Sequence, residues 1–200
     1  MPTSGRCVFV ITGPSGVGKG TLIRELRKRL PQIALSVSAT TRPPRAGERD
    51  RVDYYFMSEE EFERRVAAGE FVEHVRYAGA SYGTLRSELE ASLKKGRPVV
   101  LEIEVQGARQ IRSTLPDATL IFIAPPSFEV LEERLRKRGT DSEEKIAQRL
   151  AVAREELAAK DQFEHVIENR DLAQAVAELE EVVRRHCPLL AKAAATATLS

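Results

Sequence analysis

Residues 8–11 form an unbroken apolar run, Val8-Phe9-Val10-Ile11, which predicts a strand buried on both faces. A glycine-rich turn follows, and Leu22, Ile23, Leu26 and Leu30 then recur at helical spacing among arginines and lysines until Pro31 ends the helix. Residues 34–38 predict a short strand, residues 39–48 a loop stiffened by Pro43 and Pro44, and residues 53–56 another short strand. Ser58 with Glu61 reads as a capping box opening a helix that carries Phe62 and Val66. Residues 71–77 alternate, which puts Phe71, Glu73, Val75 and Tyr77 on one face and Val72, His74 and Arg76 on the other. Glu73, on the more apolar face, then needs a partner, and an ordinary buried ion pair is the simplest one. Residues 80–84 form a strand or turn, and residues 85–95 a helix stopped by Gly96.

Residues 99–105 and 119–124 are again apolar enough for parallel strands covered on both faces. The helix over residues 131–138 breaks at Gly139, and Thr140 with Glu143 reads as a second capping box before a long helix through Arg149 and Arg154. A last strand over 163–168 and a last helix over 171–186 complete the pattern, and the Ala- and Thr-rich tail after Pro188 is expected to fray. Helices alternating with parallel strands give an α/β fold with a three-layer α/β/α core, interrupted at residues 34–84 by an insertion of short strands and one helix.

Composition narrows the function classes. The chain has 200 residues, 42% hydrophobic and 30% charged, with 31 basic and 30 acidic side chains for a net charge of +1. That balance provides no global field toward nucleic acid or a membrane surface, and neither partner is expected. No run approaches transmembrane length, and no apolar segment behind a basic stretch marks a secretory signal. Cys7 and Cys187 lack metal-ligand spacing, so reduced thiols in a cytoplasmic setting are expected. His74, His165 and His186 likewise show no partner spacing and read as structural or surface residues.

The turn after the first strand carries the clearest chemistry. Gly13-Pro14-Ser15-Gly16-Val17-Gly18-Lys19 fits the phosphate-loop pattern, in which backbone N–H groups and the positive end of the next helix cradle phosphates. Lys19 reaches the β- and γ-phosphates. The pattern has one fault: Gly20 stands where a hydroxyl would ligand Mg²⁺, and Thr21 comes one residue late. Arg42 and Arg45, with Tyr54 and Tyr82 nearby, suit the oxygens of a second phosphate monoester, or form a solvated basic loop. Glu102 and Glu104 share a face at the end of their strand, where ligands gather in open α/β sheets. They suit Mg²⁺ waters or a sugar hydroxyl, a salt bridge being the alternative. Arg134, Arg138 and Arg149 bracket the Gly139 break, either as a charged helix face or as arginines that neutralise a moving phosphoryl group.

Several of these blocks together resemble guanylate kinase. They are the phosphate loop, the run from Ser38 through Thr41-Arg42-Pro43-Pro44-Arg45 to Glu48, Asp53-Tyr54, Gly69-Glu70-Phe71-Val72-Glu73, Tyr82-Gly83-Thr84, Gln106-Gly107, Arg138-Gly139 and Val166-Ile167-Glu168-Asn169. The likeness spans residues 6–187. It implies reversible transfer of the ATP γ-phosphoryl group to GMP, with Mg²⁺ as cofactor and ATP and GMP as partners. It further implies a phosphate-loop core over 1–33 and 85–187, a lid at about 126–160 within it, a GMP-binding insertion over 34–84 and a flexible tail over 188–200. Residue by residue, the resemblance puts Gly13, Pro14, Ser15, Gly16, Val17, Gly18, Lys19, Gly20, Thr21, Arg134 and Asn169 at ATP, with Asn169 beside adenine. It puts Ser38, Arg42, Arg45, Glu48, Tyr54, Glu73, Tyr82, Thr84 and Glu104 at GMP. Lys19, Arg42, Arg138 and Arg149 are then the catalytic cations, and Glu102 and Glu104 hold the metal through water. Many members have Ser at position 20 and Asp at positions 102 and 104, so this chain departs from them at all three. Two other readings compete: a guanylate-kinase-like module that binds phosphopeptides, and a phosphate-loop kinase for a different phosphorylated acceptor.

Overall fold

The computed structural model describes residues 7–137 and 142–190. Its centre is a sheet of five parallel strands, ordered β2 (Ala34–Leu35), β7 (Val99–Glu102), β1 (Val8–Thr12), β8 (Thr119–Ala124) and β9 (His165–Glu168). Alternation along β1 explains the layering. Phe9 and Ile11 pack with Leu22, Leu26, Val176, Leu179 and Val183, from helices α1 (Lys19–Arg29) and α7 (Leu172–His186). Val8 and Val10 point the other way, to Leu89 of α3 (Arg86–Lys94) and Ala108 and Ile111 of α4 (Val105–Thr114). Both faces of the central strand are thus buried, as its unbroken apolar run requires. The apolar core reaches Leu190, which is fully buried with the α1 and α7 residues.

The second sheet is smaller and mixed, in the order β4 (Tyr55–Phe56), β3 (Ala39–Thr40), β6 (Ala80–Leu85), β5 (Phe71–Tyr77). Helix α2 (Glu59–Ala67) covers it, and Phe62 stacks on Phe71 with ring centroids 4.5 Å apart in a core of its own. The predicted Ser58 cap is present, its hydroxyl accepting the Glu61 N–H. Gln110 of α4 fastens this sheet to the first: its side-chain oxygen accepts the His74 N–H at 3.1 Å and its amide donates to the His74 carbonyl at 2.7 Å.

The sequence pattern misleads at several places, each for a local reason. A β-bulge at Phe71/Glu73 breaks the alternation of β5. Phe71 leaves the Glu73 face and covers Gly83 and His74, while Val72 joins the core that includes Val105. The strand expected over 99–105 ends at Glu102; Glu104 is the N-cap of α4 and Val105 its first residue, so the two carboxylates do not share a strand face. Helix α5 (Phe128–Lys137) starts earlier than expected, and α6 (Glu143–Ala158) is capped by Ser142, whose hydroxyl accepts the Lys145 N–H, rather than by Thr140. Arg138, Gly139 and Thr140 lie outside the described residues. The cysteines are not reduced as expected. Packing of α7 against α1 and β1 brings Cys187 to Cys7, 180 residues away, with Cα atoms 5.6 Å apart and the sulfurs joined in a disulfide.

Candidate active site

The phosphate loop lies between β1 and α1, at the carboxyl end of the central strand. Gly13 and Gly18 have φ of 137° and 103°, conformations that side chains disfavour. A Cβ on Gly13 would collide with the Ile123 carbonyl, and one on Gly18 would stand 2.7 Å from the Asn169 amide. The loop is also held from outside. Asn169, buried just past β9, donates to the Val17 carbonyl at 2.8 Å. Arg134 of α5 donates to the same carbonyl at 3.2 Å and to the Asn169 carbonyl at 2.9 Å. Both residues therefore brace the loop through its backbone. Lys19 curls over the loop, its ammonium 2.5 Å from the Gly13 carbonyl and 3.3 Å from that of Pro14. Arg149 of α6 reaches the loop as well, donating to the Ser15 hydroxyl at 2.5 Å.

Carboxylates line the floor beneath Lys19. Glu102, at the end of β7, is mostly buried; that burial raises its pKa, while Lys19 lowers it. Its two carboxylate oxygens lie 3.7 Å from where a Cβ on Gly20 would sit. Glu104 has one carboxylate oxygen buried without a hydrogen-bond partner. Facing it is Glu156 of α6, a residue that sequence reasoning missed. Burial and the neighbouring Glu104 push the Glu156 carboxyl well above the ordinary carboxylate range, while the Ser15 N–H and Lys19 favour its charged form. The only sequence signal for Glu156 is one acidic side chain on the inward stripe of a long helix, seven residues after Arg149, or two turns on the same face.

The second sheet contributes the opposite wall. Arg42 donates to a Glu48 carboxylate oxygen at 2.8 Å and to the Pro43 carbonyl at 2.7 Å, and its guanidinium lies 5.3 Å from the centre of the Tyr54 ring. Glu48 also accepts the Arg45 N–H at 2.7 Å. One carboxylate thus fixes both ends of the arginine loop, and these bonds lower its pKa, Arg42 first. The Tyr54 and Tyr82 rings meet edge-on at 6.3 Å. Burial raises the Tyr54 pKa, with Tyr82 and Glu102 adding to the effect, so this wall faces the acidic floor. The Ser38 carbonyl accepts the Tyr55 N–H at 2.9 Å, which joins β4 to β3. Arg45 is exposed at the loop's rim.

Glu73 lies deepest in this wall, 3% exposed. The expected ion pair is not made: among the described residues no cation pairs with it, and its partner is the buried Thr84 hydroxyl, which donates at 2.8 Å. Burial lifts its pKa to about 7, despite the Thr84 hydrogen bonds and with help from Glu104. Gly107 makes room for it, since a Cβ there would overlap the second carboxylate oxygen. Gly107→Ala is therefore expected to push Glu73 aside and to lower stability by about 1–3 kcal/mol, the usual cost of overpacking a filled site. Thermal melts check this, and an unchanged Tm would show that Glu73 has room to move.

The three histidines lie apart from this site. His165 at the start of β9 and His186 at the end of α7 meet with ring centroids 4.8 Å apart, far from the loop. His74 instead sits against Phe62 and Phe71.

A family model described as guanylate kinase matches residues 5–186. The guanylate kinase of Thermosynechococcus vestitus is 55% identical over 181 residues, covering 90% of this chain and 95% of that protein. The guanylate kinase of Synechococcus sp. strain CC9902 is 52% identical over 188 residues, covering 94% of this chain and all of that one. In three dimensions the chain is similar to the crystal structure of guanylate kinase from Anaplasma phagocytophilum. The TM-score is 0.74 at 33% identity, with 93% of this chain and 88% of that chain covered. With a phosphate loop braced from three sides, a buried carboxylate in the facing wall and relatives that match nine-tenths or more of its length, the chain belongs to the guanylate kinase family.

Proposed function

We propose that this chain's residues divide ATP:GMP phosphoryl transfer, the reaction of its family, between the two walls just described. The chain is an ATP:GMP phosphotransferase that gives ADP and GDP. In our reading the phosphate loop and Lys19 take the ATP phosphates, and Arg149 approaches them from α6 as the lid over residues 126–160 closes. Arg138, outside the described residues, joins it from the same lid. Arg134 and Asn169 position the loop through the Val17 carbonyl.

GMP occupies the facing sheet of the 34–84 insertion. Arg42, Arg45, Tyr54 and Tyr82 take its phosphate, with Glu48 aiming the arginines. Ser38, Glu73 and Thr84 take the guanine edge, and Glu104, between the walls, borders both nucleotides. The observation that carries this reading is Glu73, a buried carboxylate held by Thr84 and paired with no cation among the described residues. Guanine offers two donors, N1–H and N2–H₂, where adenine offers a lone pair and no amine, so a carboxylate there selects guanine.

In the transfer, an oxygen of the GMP phosphate forms a bond to the γ-phosphorus as the bond to the ADP oxygen breaks. A dianionic phosphate needs no strong general base. Positioning and charge neutralisation carry the rate, through Lys19, Arg42, Arg138 and Arg149.

The acidic floor fits Mg²⁺, a hard ion that prefers oxygen ligands. Glu102 lies against Gly20, so its longer side chain adjoins the place where a Ser hydroxyl would stand, and Glu104 has a buried oxygen without a partner. Glu102 and Glu104 would hold the ion through its waters, and its role there is to neutralise phosphate charge.

The test is ADP release with ATP and each nucleoside monophosphate in turn. GMP is expected to turn over far faster than AMP, CMP or UMP. Equal turnover with AMP would sink the guanine assignment. A phosphopeptide-binding module is disfavoured, because the phosphate loop and Lys19 are intact.

A further inference from the structure

Three groups that bind metals meet at the end of the central sheet opposite the nucleotide site. Glu164 and His165 precede and open β9, and His186 closes α7. One ligand atom from each lies within 4.8 Å of the other two. Strand β9 runs from His165 to Glu168, directly before the loop-bracing Asn169. The cluster is therefore about 13 Å along the strand from the phosphate loop, at about 3.3 Å per residue.

We propose that Glu164, His165 and His186 form a binding site for a first-row divalent transition-metal ion, zinc being the best match. Nothing in phosphoryl transfer accounts for the three together, and two features point to a ligand.

His165 Nε2 is buried and has no hydrogen-bond partner, in a side chain only 16% exposed. Buried ring nitrogens are normally satisfied, so an orphan one needs an explanation. At His186, Nδ1 lies 2.9 Å from the Val182 carbonyl. A carbonyl only accepts, so Nδ1 carries the proton and Nε2 keeps its lone pair. Metal-binding histidines are commonly oriented in this way, by donating the other ring N–H to a backbone carbonyl.

The ligand set is also chemically apt. Two imidazoles and one carboxylate, with a water in the fourth position, are a recurrent zinc environment, with bonds of about 2.0–2.2 Å. Tetrahedral bonds of that length put ligand atoms about 3.4 Å apart, so no pair in the cluster needs to tighten by more than about 1.4 Å. Glu164 is placed to join them, because its side chain is 72% exposed and its oxygen already lies 3.7 Å from His165 Nε2. Arg185, the nearby cation, is tied to Glu181 at 2.5 Å. A metal here would fasten β9 to the end of α7 and leave the nucleotide site untouched, so its role is structural.

The test uses the full chain, stripped of metal by a chelator and titrated with Zn²⁺, and separately with Co²⁺ as a spectroscopic probe. We expect one zinc bound per chain with a Kd at or below about micromolar, a visible cobalt band shifted from that of the aqueous ion, and a higher Tm with zinc. His165→Gln and His186→Gln should each weaken binding at least about tenfold, judging from the 10–100-fold lost on removing even outer-shell partners. Glu164→Gln, at an exposed position that leaves folding intact, should weaken it as well. A Cys7→Ser/Cys187→Ser double variant should bind zinc like the parent, and GMP turnover in the His variants should match the parent. No binding up to 100 µM zinc would overturn the proposal. So would stoichiometric binding unaffected by the Glu164 and His variants, or binding lost only with the cysteines.

Discussion

Lys19→Met is expected to lower kcat about 10³-fold or more while leaving the Kd for GMP within about twofold. The lysine ammonium lies over the loop, 2.5 Å from the Gly13 carbonyl and within electrostatic reach of Glu102. It is the one cation fixed to the loop by its own helix, so charge developing on the β–γ bridge meets it without any closure. Removing one preorganised donor to a developing anion costs about 10²–10³ in kcat, and here a full positive charge goes with it. Met keeps the length and apolar stem of Lys, and the glycines that shape the loop are untouched, so the fold should survive. Among the described residues, the facing wall on β3, β5 and β6 shares no hydrogen bond with this side chain. Steady-state ADP release gives kcat, and calorimetry with GMP alone gives the Kd. Loss of GMP binding would show that the two walls are not separable.

What the chain reveals before folding depends on how local the signal is. The phosphate loop was legible because strand, glycines, lysine and helix are contiguous, and residues 119–124 because an apolar run buried on both faces needs no partner to be recognised. The limits of the α4 region were not legible. Residues 99–105 alternate acceptably as a strand, but the turn into a helix at Glu104 is imposed by packing of Val105, Ala108 and Ile111 on the sheet. The β5 bulge was invisible for a similar reason. Only pairing with β6 shows that Phe71 and Val72 share one opposite residue, and Gly83 leaves the hollow that Phe71 fills. The site divides the same way. Its arginine loop and Glu73 stood out by type and spacing, whereas Glu156, the Cys7–Cys187 disulfide and the His165–His186 pair arise from contacts between distant segments.

Glu73 is expected to trade stability for selectivity, and Glu73→Gln separates the two. In the folded chain Glu73 keeps its proton up to about pH 7, against 4.5 when unfolded. The folded state thus binds more protons between those values, so its stability falls as pH rises through that window and is level above it. Above pH 7 the buried charge costs about 3 kcal/mol, from 1.36 kcal/mol per tenfold change in proton affinity. Gln carries no charge and can still accept from Thr84. Glu73→Gln should therefore raise Tm at pH 8 by several degrees, and the gain should shrink toward pH 4.5. Thermal melts across pH 4.5–8 check this; a lower Tm at pH 8 would mean that the carboxylate is better solvated than its burial implies.

In the proposed reading GMP reverses the balance, because guanine's N1–H and N2–H₂ would both donate to the ionised form. Binding should release the Glu73 proton, so KM for GMP in the parent should rise as pH falls below 7. The GMP phosphate also titrates, near pH 6. Glu73→Gln isolates that contribution and should show a flatter profile above pH 6. In the variant an amide N–H replaces one acceptor, facing a guanine donor in GMP but a bare N1 lone pair in AMP. Sites built on such hydrogen bonds reject analogues lacking them by about 10⁴–10⁵, and the proposed reading rests a large part of that discrimination on this one carboxylate.

The most direct measurement is therefore the ratio of kcat/KM for GMP to that for AMP, in the parent and in Glu73→Gln at pH 8. The ratio is expected to collapse by about 10²-fold or more, dominated by lost GMP turnover, in a protein at least as stable as the parent. An unchanged ratio in a folded variant would contradict it, and the guanine edge would have to be read elsewhere in the site.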